Sequence, residues 1–332
     1  MITDANLATI FVGLLGFSVL AYAILDGFDL GVGMLLPMDN QGQRDEMIAS
    51  IGPFWDANET WLVLAIGILL IAFPKAHSLV LQTLYLPSTF MLIGLILRGV
   101  AFDFRAKVAQ GRKTMWDYAF KTGSFLASFM QGYMLGIYVM GLETHFYAQC
   151  FAILSGIGVT CAYTFIGACW LLMKTSAELQ LKAKAWASFY LIAFAVGIAA
   201  VSIVNLAIHQ RVLEFWTKTP YSFVLAIIPI TVFALVVICK LVLPKLLQTH
   251  TDGIWLPFVI AVALFWLCFG GLAVSYYPFV IPDKLTIWET ASAPESLRFI
   301  LMGALIVIPC IFAYTLFSYR IFWGKATKLE YY

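Results

Sequence analysis

The chain has 332 residues, of which 62% are hydrophobic and only 11% charged, and its mean hydropathy is +0.91. Soluble domains carry charge on about a quarter of their residues, so this composition is that of an integral membrane protein. A net charge of +2, with no block of Lys and Arg, excludes a nucleic-acid-binding stripe. The six cysteines, Cys150, Cys161, Cys169, Cys239, Cys268 and Cys310, stand singly in apolar stretches and are expected to be buried free thiols.

Taken in chain order, stretches of about 20 apolar residues predict nine membrane spans, at roughly 7–36, 54–73, 78–103, 118–141, 147–173, 184–208, 221–243, 254–277 and 298–323. The N-terminal MITDANLATI lacks the positive region of a cleavable signal, and the apolar run behind it is too long for a signal core. It is expected to stay as the first helix of a single polytopic membrane domain over 1–332. Loops are short, and the longest on the outer side, roughly 278–297, leaves no room for a soluble domain.

Lys and Arg set the orientation. With the N-terminus outside, the cytoplasmic ends hold Arg44, Arg105, Lys107, Arg112, Lys113, Lys174, Lys182, Lys184, Lys240, Lys245, Arg320, Lys325 and Lys328, thirteen in all. The outer ends hold five, Lys75, Arg211, Lys218, Lys284 and Arg298. The expected arrangement is therefore N-terminus outside and C-terminus cytoplasmic. Trp116, Trp170, Trp186, Trp216, Trp255 and Trp323 fall at segment ends and fit an interfacial aromatic belt.

Charges within the membrane are the candidate functional residues. Asp26 and Asp29 lie late in the first span, in LDGFDLGVG; Asp56, Asn58 and Glu59 open the second, in WDANETW; Arg98 and Asp103 close the third, in LRGVAFDFR. Because the spans alternate in direction, these three places share the cytoplasmic third, so all six charges are predicted at one depth. Asp26 and Asp29 are three residues apart, as are Asp56 and Glu59, and each pair shares a helical face. Gly27, Gly31 and Gly33 give the first helix a small-residue face for close approach of another helix. Five carboxyls against one guanidinium cannot all be ionised in a low dielectric. Some must be protonated, or a partner chain must supply positive charge, and such a cluster suits proton uptake. A plainer account makes Asp56 a helix cap and Arg98 a depth tether; the convergence of three helices argues against it.

His77, His145, His209 and His250 all fall at loops or segment ends, so no span offers an axial haem ligand. Methionines within spans, Met91, Met130, Met134, Met140 and Met302 among them, are read as packing residues. No P-loop, HExxH or GxSxG motif occurs. Any redox metal is expected on another chain.

The segments AYAILDGFDLGVGMLLP, SIGPFWDANETWLVLAIGILLIAFP and LILRGVAFDFRAK, within about residues 19–107, together resemble the hallmark blocks of subunit II of bd-type quinol oxidases. The short chain, and Ala57 where many members carry Gly, resemble the cyanide-insensitive branch. The resemblance implies an all-α membrane protein of about nine helices, arranged as two four-helix bundles plus one peripheral helix. It implies a heterodimer with a haem-carrying subunit I, which ligates haem b and haem d, in a quinol oxidase that reduces dioxygen to water. It allows for a small single-helix subunit and for a structural quinone held against this chain. Carried onto this sequence, the family's proton pathway points to Asp56, Asp103, Asp26 and Asp29, with Glu59, Arg98 and Asn58 as charge and hydrogen-bond partners and no directly catalytic residue. A reading of another class, a proton-coupled secondary transporter using the same carboxyls, predicts coupling residues near the midplane in repeated halves. Here the charges crowd one boundary of the first three spans, with no repeated partner motif.

Overall fold

The computed structural model describes residues 4–218, 220–247, 253–322 and 324–326. His250, Trp323 and Lys328, used above for topology and the aromatic belt, lie outside the described residues. In lipid an unpaired backbone amide has no water to bond, so apolar segments close their hydrogen bonds internally as helices. The long helices are α1 (Asp4–Leu35), α3 (Trp55–Ala72), α4 (Pro74–Lys107), α5 (Gln110–Val139), α6 (Phe146–Lys174), α7 (Ala177–Ile208), α10 (Ile227–Val242), α11 (Leu256–Tyr276) and α13 (Pro294–Ile321). Short helices α2 (Gln41–Ile51), α8 (Gln210–Lys218), α9 (Ser222–Leu225) and α12 (Ile287–Thr290) lie between them.

Among the described residues, eight segments are long and apolar enough to cross a membrane, α9 and α10 together forming one of them. Helix α5 is a ninth long helix, but Gly, Ser, Gln and Tyr recur along it and lower its hydropathy. Helices α1, α3, α4 and α5 form one four-helix group and α6, α7, α10 and α11 a second, joined where α1 and α5 pack on α6. Helix α13 lies at the periphery against α1 and α3, and most of its apolar side chains face outward.

Glycine makes the join between the groups possible. A Cβ on Gly31 would lie 1.9 Å from the Tyr163 carbonyl oxygen, and one on Gly167 would lie 2.6 Å from the Gly31 backbone. The α1 and α6 backbones therefore cross with no room for a side chain, as the small-residue face predicted. Around the crossing, Phe28 stacks on Trp170 at 4.3 Å and Phe54 on Tyr319 at 4.5 Å, an aromatic block that ties α13 to the rest. Trp170 is a correction to the interfacial belt: it is buried in this block, and its Nε1 donates to the Ser50 carbonyl.

Two local features depart from simple spans. Helix α4 bends at Leu84, whose φ of −97° and ψ of 16° are non-helical. Pro87, three residues on, has no N–H and crowds the preceding turn. Helix α2 occupies a stretch read from sequence as a connection. It is too polar to register as an apolar segment, yet it buries Gln43, Arg44, Met47, Ile48 and Ile51. At the opposite end of the bundle, β1 (Phe279–Ile281) and β2 (Leu285–Thr286) form a small antiparallel hairpin. Lys284 of its turn pairs with Glu143 at 2.6 Å, and the ammonium holds that carboxyl below the usual range. A capping box between Thr286 and Glu289 starts α12.

The glycine contacts give a test. Gly31→Ala forces two backbones apart and is expected to abolish accumulation of folded chain in the membrane. Gly270→Ala, where a Cβ meets nothing within 4 Å, should leave the yield unchanged or raise it slightly, since Ala favours helix by about 1 kcal/mol. Size-exclusion profiles of tagged protein in detergent separate the two outcomes.

Candidate functional site

Acidic residues of α1 and α3 and an arginine of α4 come together at the end of the bundle where α1 and α4 finish and α3 begins. Arg98 of α4 is 1% exposed and reaches between the other two helices. Its Nη1 donates to Asp26 Oδ1 at 2.6 Å, and its Nη2 pairs with Glu59 Oε1. Asp26 is fully buried, whereas the Glu59 side chain is 30% exposed. One guanidinium is thus shared between a carboxyl in the core and one at the surface.

Asn58 organises the rest. Its Nδ2 donates to Asp29 Oδ2 at 2.8 Å and to the Leu25 carbonyl at 3.2 Å, while its Oδ1 accepts from the Tyr319 hydroxyl at 3.1 Å. Asn58 and Asp29 are both fully buried. Asp26 Oδ2, Asp29 Oδ1 and Arg98 Nε have no hydrogen-bond partner in the chain. Behind Asp26, Gln131 of α5 donates to the Tyr22 hydroxyl at 2.8 Å and accepts from the Tyr163 hydroxyl at 2.7 Å.

The structure divides the seven residues singled out in the sequence. Asp26, Asp29, Asn58, Glu59 and Arg98 form one connected cluster, but Asp56 and Asp103 are exposed on the outside of α3 and α4. Asp56 is one turn before Glu59 on α3. Asp103 lies five residues beyond Arg98, about 7.5 Å further along α4. The expectation of one common depth therefore holds for the cluster, with two carboxyls set apart from it at the same end of the bundle.

A second ionic network was missed. Arg44 of α2 lies 2.7 Å from Asp117 of α5, Arg105 pairs with the same carboxylate, and Arg105 also pairs with Asp45 at 2.7 Å. Arg44 Nη1 further donates to the carbonyls of Pro37 and Met38. Arg44, Arg105 and Asp117 are buried. Counting Arg44 and Arg105 as solvated loop charges hid them, because nothing in the local pattern marks α2 as folding inward. The available signal was Asp117, an acid at the head of a long helix and surrounded by basic residues. Nearby, Lys121 Nζ donates to the Leu36 carbonyl and closes the end of α1.

Neither network resembles a metal centre: among the described residues no group of three or more His, Cys, Asp or Glu is placed to hold a metal ion. The described histidines do not fit a haem inside the bundle either. His77 lies in the first turn of α4, His145 caps α6 by accepting from the Ala148 N–H, and His209 follows α7 beside Asp283. Burial draws the His209 imidazole below its usual range.

The family described as Cytochrome bd terminal oxidase subunit II matches residues 7–322. The cytochrome bd ubiquinol oxidase subunit 2 of Bacillus subtilis (strain 168) is 29% identical over 328 residues, covering 93% of this chain and 94% of that protein. The cytochrome bd-I ubiquinol oxidase subunit 2 of Escherichia coli (strain K12) is 26% identical over 358 residues, covering 95% and 94%. Among solved structures, the bd oxidase from Geobacillus thermodenitrificans superposes with a TM-score of 0.74 at 18% identity, over 96% of this chain and 100% of that one. With the family match spanning nearly all the described helices, the chain belongs to the cytochrome bd terminal oxidase subunit II family.

Proposed function

We propose that this chain pairs with a haem-bearing subunit I in a bacterial cytoplasmic membrane, and that the heterodimer oxidises quinol and reduces dioxygen to water. In this reading haem b and haem d, ligated by subunit I, supply the electron transfer and oxygen chemistry. The present chain supplies protons from the cytoplasmic side and a surface on which subunit I is held. The excess of Lys and Arg at the end bearing the carboxyls supports placing that end in the cytoplasm.

The observation that carries the proposal is the exposure of Asp56 and Asp103 on an otherwise apolar face. Val63, Ile66 and Leu70 of α3, and Ile96, Val100 and Phe104 of α4, are exposed along the same two helices. An ionisable group facing lipid costs several kcal/mol, so this face is expected to meet another polypeptide. Carboxyls at a protein interface, one or two turns from a buried carboxyl cluster, can take up protons at the water boundary and pass them along the contact. Glu59 links the two sets, since it touches Arg98 inside and reaches the surface outside. No feature of the fold favours a transporter.

Two experiments separate the proton role from the assembly role. Asp56→Asn is expected to assemble normally with its partner, while oxygen uptake per haem falls by about 10²-fold, the usual scale for loss of a positioned proton-transfer group. Normal turnover in that variant would refute the pathway through Asp56. Arg98→Met is expected to act on assembly instead, because it strands buried Asp26 at a cost of about 3–5 kcal/mol. The double variant Arg98→Met, Asp26→Leu should recover much of the complex yield, measured as haem copurified with tagged chain.

A further inference from the structure

We propose that the two α1 carboxyls have different tasks: Asp26 is a fixed anion, and Asp29 holds the proton that moves. The inference rests on the proton-path reading above and assigns roles within it.

The directions of the hydrogen bonds make the distinction. The Tyr163 hydroxyl donates to Gln131 Oε1, and Gln131 Nε2 donates to the Tyr22 oxygen. One lone pair of Tyr22 is thereby engaged and its own proton is left free, while Asp26, four residues on, shares its face of α1. Turning the Gln131 amide the other way would draw the Tyr22 proton toward Gln131 and leave its oxygen facing the carboxylate. An anionic Asp26 therefore selects the observed orientation. Both links, from α6 to α5 and from α5 to α1, run toward Tyr22, the neighbour of Asp26 on α1. Arg98 Nη1 adds a charged donor at 2.6 Å. A carboxyl whose donor is a buried guanidinium is held as its anion.

Asp29 has different surroundings. Asn58 is oriented by Tyr319, which donates to its Oδ1, and by the Leu25 carbonyl, which accepts from its Nδ2. Asn58 can only donate to Asp29 Oδ2, and no cation touches this carboxyl. Oδ1 is buried without a partner, as Asp26 Oδ2 is, so the two carboxyls differ in the cation that only Asp26 touches. A buried carboxylate with one neutral donor is poorly stabilised, whereas the acid form places its proton on Oδ1 and removes the charge. Asp29 is also three residues closer than Asp26 to the end where α1 meets water, as a carrier on the uptake side would be. Tyr22, Gln131 and Tyr163 are then positioning residues for the anion, and Asn58 and Tyr319 for the carrier.

Infrared spectroscopy of the assembled complex in its native membrane reads protonation directly, independent of turnover. The carbonyl stretch of a protonated carboxyl, identified by its downshift in D2O, is expected to be lost in Asp29→Asn and retained in Asp26→Asn. Retention in Asp29→Asn, or loss in Asp26→Asn, overturns the assignment. Should Asp26→Asn fail to assemble, Gln131→Leu carries the test without changing any charge. By removing the donor chain it should add a second protonated-carboxyl band, and an unchanged spectrum overturns the role of the chain. If the band is lost in Asp29→Asn while oxygen uptake stays normal, Asp29 is protonated but is not the carrier, and its half of the assignment is overturned, whereas the wider path through Asp56 is tested separately by Asp56→Asn.

Discussion

Burial of Arg98 is the constraint on which this end of the molecule depends. A guanidinium withdrawn from water inside a membrane protein must be met by anions on several sides, and no single neighbouring helix can supply them all. Asp26 comes from α1 and Glu59 from α3, so the ion contacts fix the relative depth and rotation of three helices at once. The glycines of α1 have a complementary part. They let α1 lie close against α6, which brings Tyr163 and the aromatic block up behind the carboxyls. Polar convergence on one side of α1 and tight backbone packing on the other are two aspects of one arrangement.

The cluster is also graded. Asp26 and Asp29 are sealed within the helices, Glu59 is at the boundary, and Asp56 and Asp103 are outside. A purely structural ion network would have no need of unpaired carboxyls on an apolar surface, and a purely interfacial acidic patch would have no need of a buried arginine behind it. Gradation from surface to core suits groups that exchange protons with one another. The Arg44–Asp117–Arg105 network next to it has another character. Its members pair with one another and with the turn after α1, and they lock α2 between the helix ends. One acidic end of the bundle thus carries a graded network and a bracing network side by side.

Helix α13 shows how a peripheral element can still matter to the site. Most of its side chains face outward, yet Tyr319 stacks on Phe54 and donates to Asn58. The helix furthest along the chain sets the orientation of the amide that touches Asp29. Displacing α13 would therefore disturb the carboxyl cluster without altering a single charged residue.

The sequence by itself determined the membrane class, the approximate number and position of the helices and the convergence of Asp26, Asp29, Glu59 and Arg98. Each follows from a local property: apolar run length, alternation of span direction, or spacing along one helix. The close approach of α1 was legible for the same reason, since Gly27, Gly31 and Gly33 mark a face without knowledge of what covers it. Other features rest on contacts between residues far apart in the chain, and only the tertiary structure decided them. Asp56 shares a face with Glu59 in helical projection, yet packing against α1 buries one side of that face and leaves Asp56 outside. Helix α2 and its Arg44 are polar enough to pass for a loop until Asp117, more than seventy positions later, accepts the charge. Trp170 sits where an interfacial tryptophan would, but Phe28 and Phe54 enclose it. The donor chain through Tyr22, Gln131 and Tyr163 draws one residue from each of three helices. No pattern within any one of them encodes it, because hydrogen-bond direction is settled only when the partners are in place.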